Sequence, residues 1–414
     1  MREMKDSGIE WVGAIPQNWQ LSKIGSLYTQ RNEKVSDKDY QPLSVTMQGI
    51  LPQLATAAKT DDGDNRKLVR VGDFAINSRS DRRGSCGISP LDGSVSLINI
   101  ILTPRTAMHP GYYNWLFHTT LFADEFYKWG HGIVADLWTT RWQEMKSITV
   151  PVPEYAEQER IAAFLDAECA EIDAVLEKTR ASIEEYKKLK QAVITQAVTK
   201  GIRGDRPMKD SGIEWIGDIP AEWSLVPFSK FARVSANLVN PSDYQDYLQV
   251  SPENIEKDSG KLLPCKTVSE VGVESWNHFF HKGQILYSKI RPKLNKVCIA
   301  PFDGLCSADM YPIDTDNISK FVVYTILSND FNQQVAMITE NRVKMPKINQ
   351  KELSKIIVVL PANRMEQQEI VDYLDGECGK IDALIAKKQQ YITEIENYKK
   401  SLIYEYVTGK KEVV

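Results

Sequence analysis

One phrase of sixteen residues occurs twice in this chain. Residues 4–19 read MKDSGIEWVGAIPQNW and residues 208–223 read MKDSGIEWIGDIPAEW, with twelve positions identical at an offset of 204. A second match follows at an offset of 209. Glu157-Gln158-Glu159-Arg160-Ile161 with Phe164-Leu165-Asp166 answers to Glu366-Gln367-Gln368-Glu369-Ile370 with Tyr373-Leu374-Asp375. Ile172-Asp173-Ala174 meets Ile381-Asp382-Ala383, and Cys169 meets Cys378, at the same offset. Two matched segments in the same order define a duplicated unit, and the fold has to be built from two copies of it.

Between the matched ends the copies diverge. Residues 24–150 and 228–357 share one partial echo, Val71-Gly72-Asp73-Phe74-Ala75-Ile76-Asn77-Ser78-Arg79 against Lys282-Gly283-Gln284-Ile285-Leu286-Tyr287-Ser288-Lys289. Both read as a glycine turn leading into a strand. Fixed ends around a variable middle describe a recognition module. After Pro153 and after Pro361 come long runs without proline. Apolar residues recur there in steps of three, four and seven: Ile161, Leu165, Ile172, Leu176, Ile183 in the first, and Ile370, Leu374, Ile381, Leu384, Ile392, Tyr398, Leu402 in the second. That spacing predicts two amphipathic helices with a coiled-coil-like seam. Gly201, Gly204 and Pro207 stop the first and Gly409 the second. A helix of this length with one apolar stripe needs a partner, and the nearest is its own copy. Short strand-like runs such as 96–102 and 356–360, with helical stretches near 112–127 and 320–338, make the globular segments α+β with a mainly antiparallel or mixed sheet. The expected layout is a globular domain over 1–153, a long helix over 154–205, a second globular domain over 206–360 and a second long helix over 361–414.

Composition narrows the class. With 42% apolar and 26% charged residues among 414, the chain is globular, not disordered. No apolar run approaches the ~20 residues that span a bilayer, and the first residues lack a signal-peptide core, so a cytoplasmic protein is expected. Six cysteines without a Cys-x-x-Cys pair are expected as free thiols. The net charge of −4 is concentrated in the helical runs: 154–200 carries 10 acids against 7 bases, and 361–414 carries 10 against 8. Any affinity for nucleic acid therefore has to come from local basic clusters.

Three such clusters fall in the variable segments. Arg79, Arg82 and Arg83 follow one strand-like run beside Gly84; Lys289, Arg291, Lys293 and Lys296 follow its counterpart; Arg342, Lys344 and Lys347 with Asn349 surround Pro346. Arginine and lysine hold phosphates, arginine forks onto guanine, and asparagine pairs with adenine. A solvated loop is the plain alternative for any one of them. Catalytic patterns are missing: no phosphate-binding Gly-x-x-x-x-Gly-Lys-Ser/Thr, no dinucleotide Gly-x-Gly-x-x-Gly, and no Asp/Asn-Pro-Pro-Tyr/Phe of amino-methyltransferases. Glu144-x-Lys146 with Asp136 upstream has a nuclease-like form, but Glu185-x-Lys187 inside a helical run has it too. His278 and His281 have a metal-compatible spacing without an evident third ligand. The duplicated tryptophans, Trp11, Trp19, Trp215 and Trp223, point to packing of the domain entrance against a long helix.

Several of these words resemble the specificity subunits of type I restriction-modification systems. They are Gly8-Ile9-Glu10-Trp11-Val12-Gly13 with Ile15-Pro16 and Trp19, repeated at 212–223; Pro153 with Glu157 to Asp166; Pro361 with Glu366 to Asp375; and the strand motif Gly283-Gln284-Ile285-Leu286-Tyr287-Ser288-Lys289-Ile290-Arg291-Pro292. The first domain departs from that motif, with Asn77-Ser78-Arg79-Ser80 in its place. The resemblance implies that each globular domain is a target-recognition domain reading half of a split, asymmetric double-stranded DNA target. It implies that the helices pair as an antiparallel coiled coil and dock two adenine methyltransferase subunits, with restriction subunits as further partners. No cofactor is expected in this chain; S-adenosylmethionine, ATP and magnesium would belong to the partners. A coiled-coil scaffold with two protein-binding domains is the alternative, and a self-contained nuclease or methyltransferase is opposed by the missing motifs.

Overall fold

Each long run without proline is a single helix in the computed structural model, Tyr155–Lys200 and Arg364–Val407. At 1.5 Å per residue the two are ~69 and ~66 Å long. Each is followed by a glycine at positive φ, Gly201 (75°) and Gly409 (71°), the left-handed residue that commonly ends a helix. The structure describes residues 2–54, 62–132, 138–340, 342 and 346–413. The chain divides into two units, Met1–Thr179 with Gln390–Val414, and Arg180–Gln389. Each long helix contributes to both.

In the first unit the hairpin Met4–Asp6 with Ala14–Pro16 leads to strand Gln20–Lys23, which pairs antiparallel with Thr149–Val152 and so closes the domain. Between those strands lies a four-stranded sheet in the order Cys86–Ile88, Phe74–Asn77, Asn99–Pro104, Tyr28–Arg31. A three-stranded sheet is built from Gly93–Val95, Arg66–Val69 and Lys34–Val35, and Leu43–Thr46 pairs with Gly49–Pro52. The stretch expected as helical over 112–127 is two helices, Pro110–Phe117 and Thr120–Lys128. The break falls at Thr119, whose hydroxyl caps the second by accepting from the Phe122 N–H.

The second unit repeats this plan. Met208–Asp210 pairs with Asp218–Pro220, and Ser224–Pro227 with Ile357–Leu360. Its four-stranded sheet runs Arg233–Val234, Met310–Asp314, Ile285–Ser288, Val297–Ile299. A five-stranded sheet runs Leu238–Val239, Asn277–Phe280, Gly304–Cys306, Leu248–Val250, Lys266–Thr267, with one parallel pairing, Leu248–Val250 to Gly304–Cys306. The helices Ser319–Leu327 and Asn329–Thr339 again break at a capping serine, Ser328. The weak echo in the variable segments is thus a shared element. Phe74–Asn77 and Ile285–Ser288 are each one of the two interior strands of their sheet, buried at all four positions, and each is entered from a glycine at positive φ, Gly72 (86°) and Gly283 (90°). Strands covered on both faces read as continuous apolar runs without alternation, so their period gives little away.

Within each unit the helices pack antiparallel. In the first, Phe164 meets Tyr406 and Asp173 bonds Lys399 at 2.6 Å, so the second helix runs backward as the first runs forward. In the second, Tyr186 lies under Lys388 and Lys190 bonds Asp382 at 2.8 Å, in the same sense. Leu384 and Tyr398 are not in the seam, being 42% and 55% exposed; Ile381, Ile392 and Leu402 fill it. Seven residues of a straight helix fall about 20° short of two full turns, so positions counted in steps of seven drift off the buried face.

The duplicated words are clamps between domain and helix. Trp19 Nε1 donates to Glu157 at 2.9 Å, and Arg2 pairs with the same carboxylate while lying over the indole. In the second unit Trp223 Nε1 donates to Glu366 at 2.9 Å, and Arg206 bonds Glu366 at 2.7 Å from above that indole. Gln158 accepts the His109 N–H and Gln367 the Ile318 N–H. Asp166 accepts from Trp115 and Asp375 from Tyr324. The partners of the two glutamates lie 204 residues apart, and those of the glutamine and aspartate pairs 209 apart, the two offsets of the matched segments. The packing role expected for the repeated tryptophans is met at Trp19 and Trp223, whereas Trp11 is buried edge-on to Phe122 of a short domain helix. Trp215 is 38% exposed. All six cysteines are free thiols, five of them buried. Among the described residues no helix is long and apolar enough to cross a membrane.

Candidate nucleic-acid interface

One interior strand of each four-stranded sheet, Phe74–Asn77 or Ile285–Ser288, delivers the chain to a short basic loop. In the first unit Ser78 and Arg79 leave Phe74–Asn77, and the Asn77 side chain accepts the Arg79 N–H at 3.0 Å. A single 3-10 turn, Ser80–Arg82, follows, then Arg83 and Gly84. Arg79, Arg82 and Arg83 are all exposed. Arg82 lies 3.6 Å from Asp81, and Arg83 is ion-paired with Asp124 on the covering helix.

In the second unit Lys289 leaves Ile285–Ser288 and the 3-10 turn is Pro292–Leu294. Two non-glycine residues bracket it at positive φ, Arg291 (44°) and Asn295 (45°). Such backbone is held only where its surroundings enforce it. Here the Arg291 N–H donates to the Pro346 carbonyl at 2.8 Å, and the buried Asn295 amide donates to the Leu327 carbonyl at 3.2 Å. Arg291 and Lys293 project into solvent. Lys289 is half-buried with Nζ 5.3 Å above the Tyr311 ring, and Lys296 donates to the Pro252 carbonyl at 2.6 Å. The loops correspond at one bridge, Arg79 with Thr139 as Ile290 with Lys347, after which the 3-10 turn starts one residue later in the second unit. That register sets Ser80 opposite Arg291.

The third cluster is occupied within its domain. Arg342 forms a two-pronged ion pair with Glu352 and bonds the Lys347 carbonyl. The Arg342 guanidinium holds the Glu352 carboxyl below its ordinary range. Lys347 reaches Asp309 at 3.2 Å, and Asn349 caps the helix Gln350–Leu353, accepting the Glu352 N–H at 2.9 Å. Lys344 lies outside the described residues, as does Asp136. Arg342→Ala is expected to lower the melting temperature slightly and to leave the salt dependence of DNA binding unchanged. A shallower dependence in an anisotropy titration would return Arg342 to the contacts.

The remaining chemical candidates have structural employment. Glu144 closes a capping box by accepting the Arg141 N–H at 3.0 Å. His278 is buried, and that burial followed by the nearby Lys289 charge lowers its pKa, while His281 is exposed. Among the described residues no group of three His, Cys, Asp or Glu could hold a metal.

A polar cleft of about 660 Å³ in the second unit was not legible in the sequence. Gln249 and Asn277 are among its walls, with Gln249 donating to Asn277 at 3.0 Å and Asn277 to the Ser275 carbonyl at 2.7 Å. It adjoins the basic loop: Lys296 holds Pro252, whose neighbours Ser251 and Glu253 line the cleft. Trp276, 60% exposed, stands next to two lining residues, Ser275 and Asn277. The signal that could have found it is two amides in strand positions normally taken by apolar residues.

Known proteins resemble the chain in both sequence and fold. Residues 234–397 match the type I restriction modification DNA specificity domain. The EcoDI specificity subunit of a type I restriction enzyme from Escherichia coli is 34% identical over 286 residues, which are 64% of this chain and 63% of that protein, so the match spans less than two thirds of the relative. A chain from a solved type I restriction-modification complex superposes with a TM-score of 0.72 at 14% identity, covering 96% of this chain and 99% of its own. Residues 234–397 thus match a type I restriction-modification DNA specificity domain, and the chain as a whole resembles the specificity subunits of type I restriction-modification systems.

Proposed function

We propose that this chain is the non-catalytic DNA-recognition subunit of its system, working in the cytoplasm. Each globular domain reads one half of a split, asymmetric target in double-stranded DNA. The paired helices dock two adenine methyltransferase subunits, and restriction subunits join that assembly. S-adenosylmethionine, ATP and magnesium serve those partners. The observation that carries this reading is one scaffold used twice with different loops. The same interior strand ends in Arg79, Arg82 and Arg83 in one unit and in Lys289, Arg291 and Lys293 in the other. Cationic side chains fix a protein on the phosphates, and loop side chains beside them read base edges. Two different readers on one frame require a target whose halves differ.

Exchange of residues 24–150 for the same segment of a related subunit tests it. Methylome sequencing of cells carrying the hybrid and its methyltransferase is expected to show one half-site replaced and the other kept. Replacement of both halves, or a complex with no DNA affinity, would overturn the assignment and favour a protein-binding scaffold.

A further inference from the structure

The helix pairs of the two units differ at one matched position. In the first, Tyr406 near the end of the second long helix lays its ring on Phe164, with centroids 4.4 Å apart. The 209-residue offset puts Tyr373 at the place of Phe164 and Ala197 at the place of Tyr406. Matching bonds fix that register: Thr408 Oγ1 donates to the Tyr404 carbonyl as Thr199 Oγ1 donates to the Thr195 carbonyl. With only a methyl group at position 197, the Tyr373 ring is left 43% exposed, and a groove of about 310 Å³ opens beside it. Met208 and Ile202, both partly exposed, form its apolar wall, and Lys200 and Arg203 stand at its rim. The second unit thus keeps the aromatic floor and lacks the aromatic lid.

We propose that this groove takes a tyrosine or phenylalanine side chain of a methyltransferase subunit docked on the second unit. The first unit has no such site, because Tyr406 already fills it. The inference rests on the proposed docking of methyltransferase subunits to the helices. The occupant's chemistry is read from the copy: what completes the same place in the first unit is a tyrosine ring tilted 35° against an aromatic floor. Arg203 is ion-paired with Glu369 at 2.6 Å, and Lys200 at the rim suits the face of an aromatic ring and an acidic residue beside it. An aromatic anchor in a pocket of this kind is a dominant contributor to protein affinity. Two otherwise equivalent docking faces are thereby made unequal, so the first methyltransferase subunit settles on the second unit and the other follows at higher concentration.

Titration calorimetry and native mass spectrometry of the full chain with its methyltransferase subunit test this. The expected result is two sites whose dissociation constants differ by about ten-fold or more. Ala197→Tyr supplies the missing lid and is expected to weaken the tighter site by about that factor, making the two alike. Tyr373→Ala removes the floor at an exposed position and is expected to do the same, which keeps the test open should the tyrosine variant misfold. Two equal sites in the unmodified chain, or two unequal sites unchanged by both variants, would overturn the groove and leave docking standing. No complex at all would overturn both.

Discussion

Replacing Trp223 with alanine is expected to destabilise the second unit by about 3–5 kcal/mol, the usual cost of removing a fully buried tryptophan. The ring is fully buried, so its loss leaves a cavity that the surrounding helix and hairpin cannot close. Its Nε1 is also a hydrogen-bond donor to Glu366, which is buried on the first turn of a long helix. The remaining partner, Arg206, is shared with Glu222, so the carboxylate loses one of two donors and keeps a cation. Trp223→Phe separates the terms. It keeps most of the buried surface and leaves the carboxylate short of one bond, an expected cost of about 1–3 kcal/mol. Trp19→Ala in the first unit is expected to match Trp223→Ala, because Glu157 and Arg2 repeat the arrangement. Urea unfolding followed by circular dichroism measures all three. A loss below about 1 kcal/mol for either alanine variant would show that the tryptophans are not the clamps between domain and helix.

The clamp was half legible in the sequence. Repetition marked the tryptophans and, separately, the Glu-Gln words, and packing of the tryptophans against a helix followed from their duplication. What repetition could not give was the pairing, because Trp19 and Glu157 lie 138 residues apart and only the closed fold brings them together. The long helices were legible for the opposite reason. Their signal is local periodicity, and only the assignment of Leu384 and Tyr398 to the seam failed, through the drift of a straight helix against a seven-residue count. Inside the variable segments, the interior strands showed only through a glycine turn. Sheet order there depends on pairings such as Ile101 with Arg31, across seventy residues. The basic clusters illustrate the limit most clearly. Arg291 and Arg342 look alike in the sequence, yet one is held out on strained backbone and the other is tied to Glu352. The difference lies in which carboxylates the fold brings near, and no spacing rule carries that.

That difference leads to the second large effect. Neutralising the loop of the second unit by Lys289→Gln, Arg291→Gln and Lys293→Gln together is expected to weaken DNA binding by the assembled complex on the order of a thousand-fold at low salt, at about 1.5 kcal/mol per charged contact. Each phosphate contact releases condensed counterions, so the slope of log affinity against log salt should fall by about 0.9 per residue, or about 2.7 for the three. Stability should barely change, because Arg291 and Lys293 are exposed and Lys289 loses only its place over the Tyr311 ring. The same neutralisation of Arg79, Arg82 and Arg83 is expected to give a smaller slope change. Arg83 already has Asp124 as a counter-ion and releases less on meeting DNA. Anisotropy titrations across a salt series, using duplexes that carry the methylated site, distinguish two roles within the loop. A phosphate contact weakens every duplex alike. A base contact costs about 1–3 kcal/mol on the cognate duplex alone and relaxes one position of one half-site. Unchanged slopes in both triple variants would mean that the interior strands deliver these loops to something other than DNA, and the assignment of the two readers would fall with them.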